Sequence, residues 1–347
     1  MMPSLLDEVQ LSRLKEGLAN HHRFVLVAHT SPDGDAVGST LGWADYLTGL
    51  GKQVNIVLPN AFPEFLDWIP GASDIVIFEQ ETERATRLIL EADVICCLDL
   101  NDLSRVEDSM QSVVNEAGAE CWLFDHHLQP KDFCTLTVSF PKLSSTCEVI
   151  FRVIYELGGF PDLTYEAAQA LYAGMCTDTG GFTFNSTRPE IFFIISCLLE
   201  RGIDKDKIYR LIYNNNSLDR IRLQGYVLHE KLQYFDQYRS TLFTISREEQ
   251  KAFNFQKGDS EGLVNIPLSI KGVRMSCQMR EDEEQDRILI SLRSVDDFPC
   301  NKVAEMFFNG GGHLNAAGGR LYCTLEEAVD IYHKAMAHFK PLLLGEK

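Results

Sequence analysis

Five short apolar runs in the first half of the chain limit its fold more than any other feature. Most of them lack a polar alternation, and they cover residues 23–29, 53–59, 73–79, 93–100 and 120–127. Strands buried on both faces have this pattern, and they occur in parallel sheets covered by helices. The segment 36–51 has the spacing of such a helix and ends at Gly51. The runs predict an α/β domain built on a parallel sheet with helices on both faces.

The rest of the chain changes character twice. A helical pattern extends from about residue 145 to residue 233, and strand patterns then cover residues 240–246, 273–281 and 287–294 before a glycine cluster and a last helix. A chain of 347 residues also exceeds the usual size of a single core. We therefore predict a parallel-sheet domain over residues 1–188, a helical connector over 189–236, and a smaller α+β domain over 237–347.

Charge and hydropathy exclude several classes of partner. The formal net charge of −18 argues against binding of long duplex nucleic acid, which requires a basic face. The longest apolar stretch, Ile191–Leu199, is too short to cross a bilayer, and the first ten residues lack a secretory signal pattern. We expect no membrane association and a cytoplasmic location. The ten cysteines form no CxxC pair, which favours reduced core thiols.

Ionisable residues follow several of the predicted strands. In an open parallel sheet, ligands bind beyond the carboxyl ends of the strands. The residues at these ends, together with one aspartate after a later helical segment, are His29, Asp33, Asp35, Asp99, Asp125, His126, His127 and Asp178. Each has a structural explanation by itself, since aspartates cap helices and form turns. Gathered at one edge without cations, however, the carboxylates would repel each other and raise their pKa values.

Divalent cations would remove this conflict. Oxygen-rich sites with few imidazoles and no thiolate favour Mn²⁺, with Mg²⁺ as the alternative. Two such ions activate water and stabilise charge on a phosphoryl group, so phosphoester hydrolysis is the expected chemistry. His127 is then available to contact substrate or to protonate a leaving oxygen.

The glycine cluster at residues 307–319 has two interpretations. It follows a helical pattern and not a strand, so it does not match a dinucleotide-binding fingerprint. Its run of glycines exposes backbone N–H groups that can bind an anion. A flexible loop with a helix-capping glycine is the alternative.

Several motifs, taken together, resemble one family. The segments "VAHTSPDGDAVGS", "CLDLND", "DHH", "CTDTG" and "GGGHLNAAGG" are similar to the DHH phosphoesterase superfamily, over about residues 15 to 340. Within it, the chain resembles the NrnA-like oligoribonucleases and pAp phosphatases. The resemblance implies a DHH catalytic domain followed by a DHH-associated substrate-binding domain.

The resemblance also implies a role for each site residue. One metal ion would be held by His29, Asp33 and Asp99, and the other by Asp35, Asp99, His126 and Asp178. The catalytic residues would be Asp99, which bridges the ions, Asp125, which orients a histidine, and His127. Substrate would contact Arg293, Gly311, Gly312, His313 and Arg274. Either arginine could instead be a solvated strand residue, an alternative that is stronger for Arg274 than for Arg293. Ser31 stands where several relatives carry an arginine.

The implied activity is a Mn²⁺-dependent hydrolysis of very short oligonucleotides to mononucleotides, and of pAp to AMP. A homodimer is compatible with the resemblance. One alternative is an inorganic polyphosphate or pyrophosphate hydrolase with the same two-metal centre, although the chain has no lysine-rich "SRKKQ"-like segment. Another is a nucleotide-binding sensor that has the fold without the catalytic activity.

Overall fold

The chain forms two compact units. The structure, a computed structural model, describes residues 2–256, 258–283 and 285–345 and divides the chain into Met1–Asn215 and Asn216–Lys347. Part of the predicted connector lies in the first unit, because Ile191, Ile194 and Leu198 are buried in its core. The three-part division at residues 188 and 236 stays a prediction.

The first unit is built on one parallel sheet, as the apolar runs predicted. Its strands are β1 (Arg23–Val27), β2 (Gln53–Leu58), β3 (Val76–Ile77), β4 (Val94–Leu98), β5 (Glu120–Asp125) and β6 (Leu136–Ser139). They are arranged in the order β3-β2-β1-β4-β5-β6, and every pair is parallel. The sequence did not predict β6, a short strand that follows an irregular loop.

Helices cover both faces of this sheet, which confirms the predicted α/β class. They are α1 (Glu8–Asn20), α2 (Gly34–Gly49), α3 (Thr82–Leu90), α4 (Asp108–Glu116), α5 (Thr146–Glu156), α6 (Tyr165–Asp178), α7 (Pro189–Glu200) and α8 (Lys205–Tyr213). Successive residues of β1 point to opposite faces, so Phe24 lies in one apolar cluster and Val25 in the other. Helices α3 and α4 cover the Val25 face, and the core residues of the other helices lie with Phe24.

Glycines allow α2 and α6 to pack closely. A Cβ atom on Gly34 would lie 2.4 Å from the Thr177 hydroxyl oxygen, and one on Gly38 would lie 2.5 Å from the Ala170 carbonyl oxygen. Both distances are shorter than a van der Waals contact. A side chain at Gly34 would have to displace the Thr177 side chain, and one at Gly38 would have to displace the backbone of α6. The close packing places the first turn of α2 beside the last turn of α6, which ends at Asp178.

The second unit contains a mixed sheet and matches the predicted α+β class. Its elements are α9 (Leu218–Tyr226), β7 (Gln233–Phe235), β8 (Ser240–Ile245), α10 (Arg247–Ala252), β9 (Met275–Glu281), β10 (Ile288–Ser294), α11 (Cys300–Phe307), β11 (Gly311–Gly312), β12 (Ala316–Leu321) and α12 (Leu325–Leu344). The strand order is β11-β12-β10-β9-β8-β7, with β8 and β9 parallel and the other pairs antiparallel. In the described part of the chain, no helix has the length and apolar content needed to cross a membrane.

The prediction of reduced thiols is wrong for two cysteines. Cys121 in β5 and Cys134 just before β6 form a disulfide, whereas the other eight cysteines are free. The N–H of Thr135 donates to the Cys121 carbonyl, so the pairing of β5 with β6 brings the two residues together. Their separation of 13 residues has no local sequence signature.

Candidate metal centre

The site begins where β1 ends and α2 starts. The carboxylate of Asp33 accepts hydrogen bonds from the N–H groups of Asp35 and Ala36, at 3.0 and 3.1 Å, and therefore caps α2. Because one oxygen of Asp33 already binds these two amides, the side chain is held in place with 52% of its area exposed.

Asp35 is held by the N-terminus of another helix. Its two oxygens accept hydrogen bonds from the N–H groups of Thr146 and Cys147, at 2.6 and 2.9 Å, in the first turn of α5. Asp35 is only 1% exposed. The unpaired amides and the dipole at a helix N-terminus stabilise a buried negative charge. The structure therefore places this carboxylate in a fixed position beside the end of β4.

Asp99 lies at the centre of the cluster. It follows β4, is 2% exposed, and adopts a left-handed backbone conformation with φ of 59°. One carboxylate oxygen accepts a hydrogen bond from the Thr146 hydroxyl at 3.0 Å. Three imidazoles surround its carboxylate: the nearest nitrogens of His29, His126 and His127 lie 3.4, 3.5 and 3.6 Å away.

His126 connects Asp99 to two other carboxylates. Its Nε2 atom lies 3.7 Å from Asp35 and 3.4 Å from Asp178, and the residue is 6% exposed. Asp178 is the last residue of α6, and Gly180 and Gly181 follow it with positive φ angles.

Asp125 and His127 form a pair beside Asp99. The Nδ1 atom of His127 lies 2.8 Å from one Asp125 oxygen, and the His127 backbone N–H donates to the other at 2.9 Å. Asp125 is fully buried. A carboxylate in this position fixes the orientation of the imidazole ring and keeps the proton on Nδ1.

The candidate ligands converge as two sets that meet at Asp99. The potential ligand atoms of His29, Asp33 and Asp99 lie within 4.8 Å of one another, and the same is true of Asp35, His126 and Asp178. These are the residues that the resemblance assigned to two metal ions, with Asp99 between them. Carboxylate oxygens with a minority of imidazole nitrogens fit Mn²⁺ or Mg²⁺. The ligand roles of the individual residues stay a prediction.

The protonation equilibria of the cluster also fit a bound cation. Burial, followed by the charges of Asp99 and Asp178, raises the pKa of Asp35 well above its usual value. Burial raises the pKa of Asp178 to about 7. Burial lowers the pKa of His126, but the charges of Asp178, Asp35 and Asp99 outweigh it and raise the pKa to about 9. Without a metal ion, the cluster therefore retains protons, which supply part of the positive charge that a cation would bring.

Asp99 has the opposite shift. Burial opposes its ionisation, but the hydrogen bond with His29 and the positive charges of His127, His29 and His126 hold the pKa of Asp99 well below its usual value. Asp99 therefore stays ionised near two carboxylates that retain protons, which makes it the carboxylate of the cluster best suited to bind a cation.

Arg105 is a cation near the site that the sequence analysis missed. Its guanidinium donates to the Asp99 carbonyl at 3.4 Å. Burial and the charge of Arg105 both lower the pKa of His29. The hydrogen bond to Asp99 and the charges of Asp33 and Asp99 outweigh them, so the pKa of His29 is raised. Arg105 lies six residues after Asp99, and the short helical turn at Leu103–Arg105 folds the chain back so that the two residues meet.

The two predicted arginines of the second unit have different surroundings. Arg274 donates to the Leu342 carbonyl at 2.8 Å and forms an ion pair with Asp297, so its guanidinium has structural partners. Arg293 lies in β10 and donates to the Leu292 carbonyl at 2.9 Å, and burial lowers its pKa. These contacts support a structural role for Arg274 more than for Arg293, and substrate binding by either stays a prediction.

The glycine cluster forms a hairpin and not a flexible loop. Gly311 and Gly312 constitute β11 and pair with Gly318 and Ala317 of β12, while His313 lies in the exposed turn. A Cβ atom on Gly310 would lie 1.9 Å from the Gly318 carbonyl oxygen. Close approach of the two strands therefore explains these glycines sterically. Anion binding by Gly311, Gly312 and His313 stays a prediction.

Fold and site together define a class: phosphoesterases with carboxylate and imidazole groups at the carboxyl edge of a parallel α/β sheet. Comparison with family models identifies the family. Residues 23–175 match the model described as DHH family, N-terminal domain, and residues 243–338 match the DHHA1 domain. The chain belongs to the DHH family and is a hydrolase that acts on phosphoester bonds.

Three relatives illustrate the range of names in the family. A crystal structure of an exopolyphosphatase-related protein from Bacteroides fragilis is 50% identical, with a TM-score of 0.95 and 99% coverage of both chains. The bifunctional oligoribonuclease and PAP phosphatase NrnA of Thermus thermophilus is 29% identical over 85% of this chain and 83% of its own length. The NrnA of Bacillus subtilis is 25% identical, over 86% and 89% of the two chains.

Proposed function

We propose that the protein is a Mn²⁺-dependent phosphoesterase that cleaves very short oligonucleotides to mononucleotides and converts pAp to AMP. The observation that carries the proposal is that two ligand sets meet at Asp99, which belongs to the first set and lies 3.5 Å from His126 of the second. The T. thermophilus and B. subtilis relatives, both named bifunctional oligoribonuclease and PAP phosphatase, support the choice of substrates. The strongly acidic composition favours a short substrate over a long polymer.

The residues of the first unit have distinct tasks in this proposal. His29, Asp33, Asp35, Asp99, His126 and Asp178 would hold the cations. Divalent cations at such a site activate a water and stabilise the charge that develops on the phosphoryl oxygens. Asp125 holds His127 by two hydrogen bonds, so the remaining ring nitrogen of His127 is the group that would transfer a proton to the leaving oxygen.

A second candidate is hydrolysis of inorganic polyphosphate or pyrophosphate. The B. fragilis relative, half of whose residues are identical to this chain, is named an exopolyphosphatase-related protein, and this favours the alternative. The same cations and His127 would act on a phosphoanhydride bond, because the charge that develops is again on phosphoryl oxygens. The metal centre alone therefore does not decide between the two substrates.

A substrate panel in Mn²⁺ tests the proposal. We expect release of mononucleotides from a 5′-phosphorylated dinucleotide and of phosphate from pAp, with much lower turnover of pyrophosphate and long-chain polyphosphate. Product identity is read by chromatography, and turnover by phosphate release. Preference for polyphosphate would establish the second candidate, whereas tight binding of pAp without turnover would identify a sensor.

Arg105 is expected to contribute to phosphate binding. Ser31 stands where relatives carry an arginine, and Arg105 supplies a guanidinium near the same centre. We predict that Arg105→Ala raises the KM for pAp about tenfold, in line with the loss of one charged hydrogen bond, with a smaller change in kcat. Arg105→Lys should recover only part of the affinity, since lysine lacks the planar fork. An unchanged KM in Arg105→Ala would rule out this role.

A further inference from the structure

The turn after Asp178 has an unusual backbone. Gly180, Gly181 and Phe182 have successive φ angles of 56°, 69° and 64°. The N–H groups of Thr183 and Phe184 both donate to the Thr179 carbonyl, at 3.0 and 3.2 Å, which closes the turn tightly. The chain therefore folds back directly beside a candidate metal ligand.

Two aromatic rings lie against the glycines of this turn. A Cβ atom on Gly180 would lie 2.1 Å from the Phe184 ring, and one on Gly181 would lie 3.1 Å from the Tyr209 ring. A side chain at Gly180 would have to displace the Phe184 ring, so the ring rests on the bare backbone. Gly180 is two residues from Asp178, which limits their Cα separation to about 7 Å.

Both rings are open to solvent. Phe184 is 51% exposed and Tyr209 is 45% exposed, although each is fixed on one side by its contact with the turn. Tyr213 supports Tyr209, with ring centroids 4.8 Å apart, and its hydroxyl donates to the Cys176 carbonyl at 2.8 Å. Two supported aromatic faces against the turn that follows Asp178 form an apolar surface that a flat, uncharged ring can cover.

We propose that Phe184 and Tyr209 form a stacking surface for a nucleobase of the substrate. The proposal rests on the proposed function and adds the part of the substrate that these residues recognise. Bases stack on aromatic side chains irrespective of their hydrogen-bonding edges, so the surface selects nucleotides over inorganic phosphates without selecting among bases.

The test compares a 5′-phosphorylated dinucleotide with the matched abasic dinucleotide, which has the same phosphates and sugars. Variants Phe184→Leu and Tyr209→Leu keep apolar bulk but remove the aromatic face. We expect each to lower kcat/KM for the dinucleotide about tenfold, mainly through KM, and to leave kcat/KM for the abasic substrate unchanged. Phe184→Tyr should keep the wild-type ratio of kcat/KM for the dinucleotide to kcat/KM for the abasic substrate. Phe192→Leu, a control at an exposed phenylalanine of α7, should keep it as well.

Each outcome has a definite meaning. An equal loss on both substrates would show that the rings only support the turn, and no loss on either would show that they do not contact substrate; both results overturn the proposal. A wild-type protein that hydrolyses pyrophosphate but neither dinucleotide would refute the proposed function, and the stacking surface with it. A wild-type protein that cleaves both dinucleotides equally would refute the stacking surface alone.

Discussion

Asp99→Asn is expected to lower kcat at least about 1,000-fold, because it removes several kcal/mol of charge stabilisation from both ligand sets at once. Asparagine keeps the volume of Asp99 and can still accept the hydrogen bond from the Thr146 hydroxyl. Because the amide is neutral, it would hold divalent cations far more weakly than the carboxylate. Turnover of pAp in saturating Mn²⁺, with metal content measured on the same sample, checks this expectation.

The same substitution should change the stability of the metal-free protein little. Removing the Asp99 charge weakens its attraction to His126 but relieves its repulsion of Asp35 and Asp178. These effects oppose each other, so we expect a melting temperature within about 4 °C of wild type. Asp102→Asn is the matched control, since Asp102 lies in the same turn but pairs with Lys131. Near-normal turnover in Asp99→Asn would refute the two-metal assignment.

Local sequence patterns predicted most of the fold of the first unit. Strands β1, β4 and β5 contain continuous apolar runs of at least four residues, which is the pattern of strands buried on both faces. Strand β6 was missed because only Leu136 and Val138 of its four residues are buried, so its pattern is too short to be recognised. In the second unit, β12 was missed because its glycines suggested a loop.

Part of the site could also be predicted from local sequence patterns. Carboxylates and imidazoles at the ends of parallel strands must lie along one edge of the sheet, so their positions in the sequence imply their proximity. The support from α5 was not predictable, since Thr146 contacts Asp35 across a separation of 111 residues. Arg105 and the Cys121–Cys134 disulfide were missed for similar reasons, because each depends on how a loop returns to the sheet.

The stability of the metal-free protein is expected to fall as pH rises. The pKa of Asp178 is about 7 in the folded protein, above the unfolded value of about 3.9, so its protonated form stabilises the fold below pH 4 and this contribution is lost as pH rises through 7. The pKa of His126 is about 9, above about 6.5, so its contribution is lost as pH rises through 9. Both pKa values are raised on folding, so both groups lower the free energy of unfolding as pH rises, over about pH 4 to 9.

Mn²⁺ should reverse this trend. A cation binds the deprotonated ligands and displaces their protons, so the stabilisation by Mn²⁺ increases from pH 6 to pH 9. At about 100 times its Kd, the ion adds about 2.7 kcal/mol, or roughly 5–10 °C in melting temperature. Thermal unfolding at fixed free Mn²⁺ across this pH range checks the prediction. Asp178→Asn should flatten the pH dependence of the metal-free protein near pH 7 and reduce the Mn²⁺ effect, whereas a Mn²⁺ shift independent of pH would show that the cation does not compete with protons at this cluster.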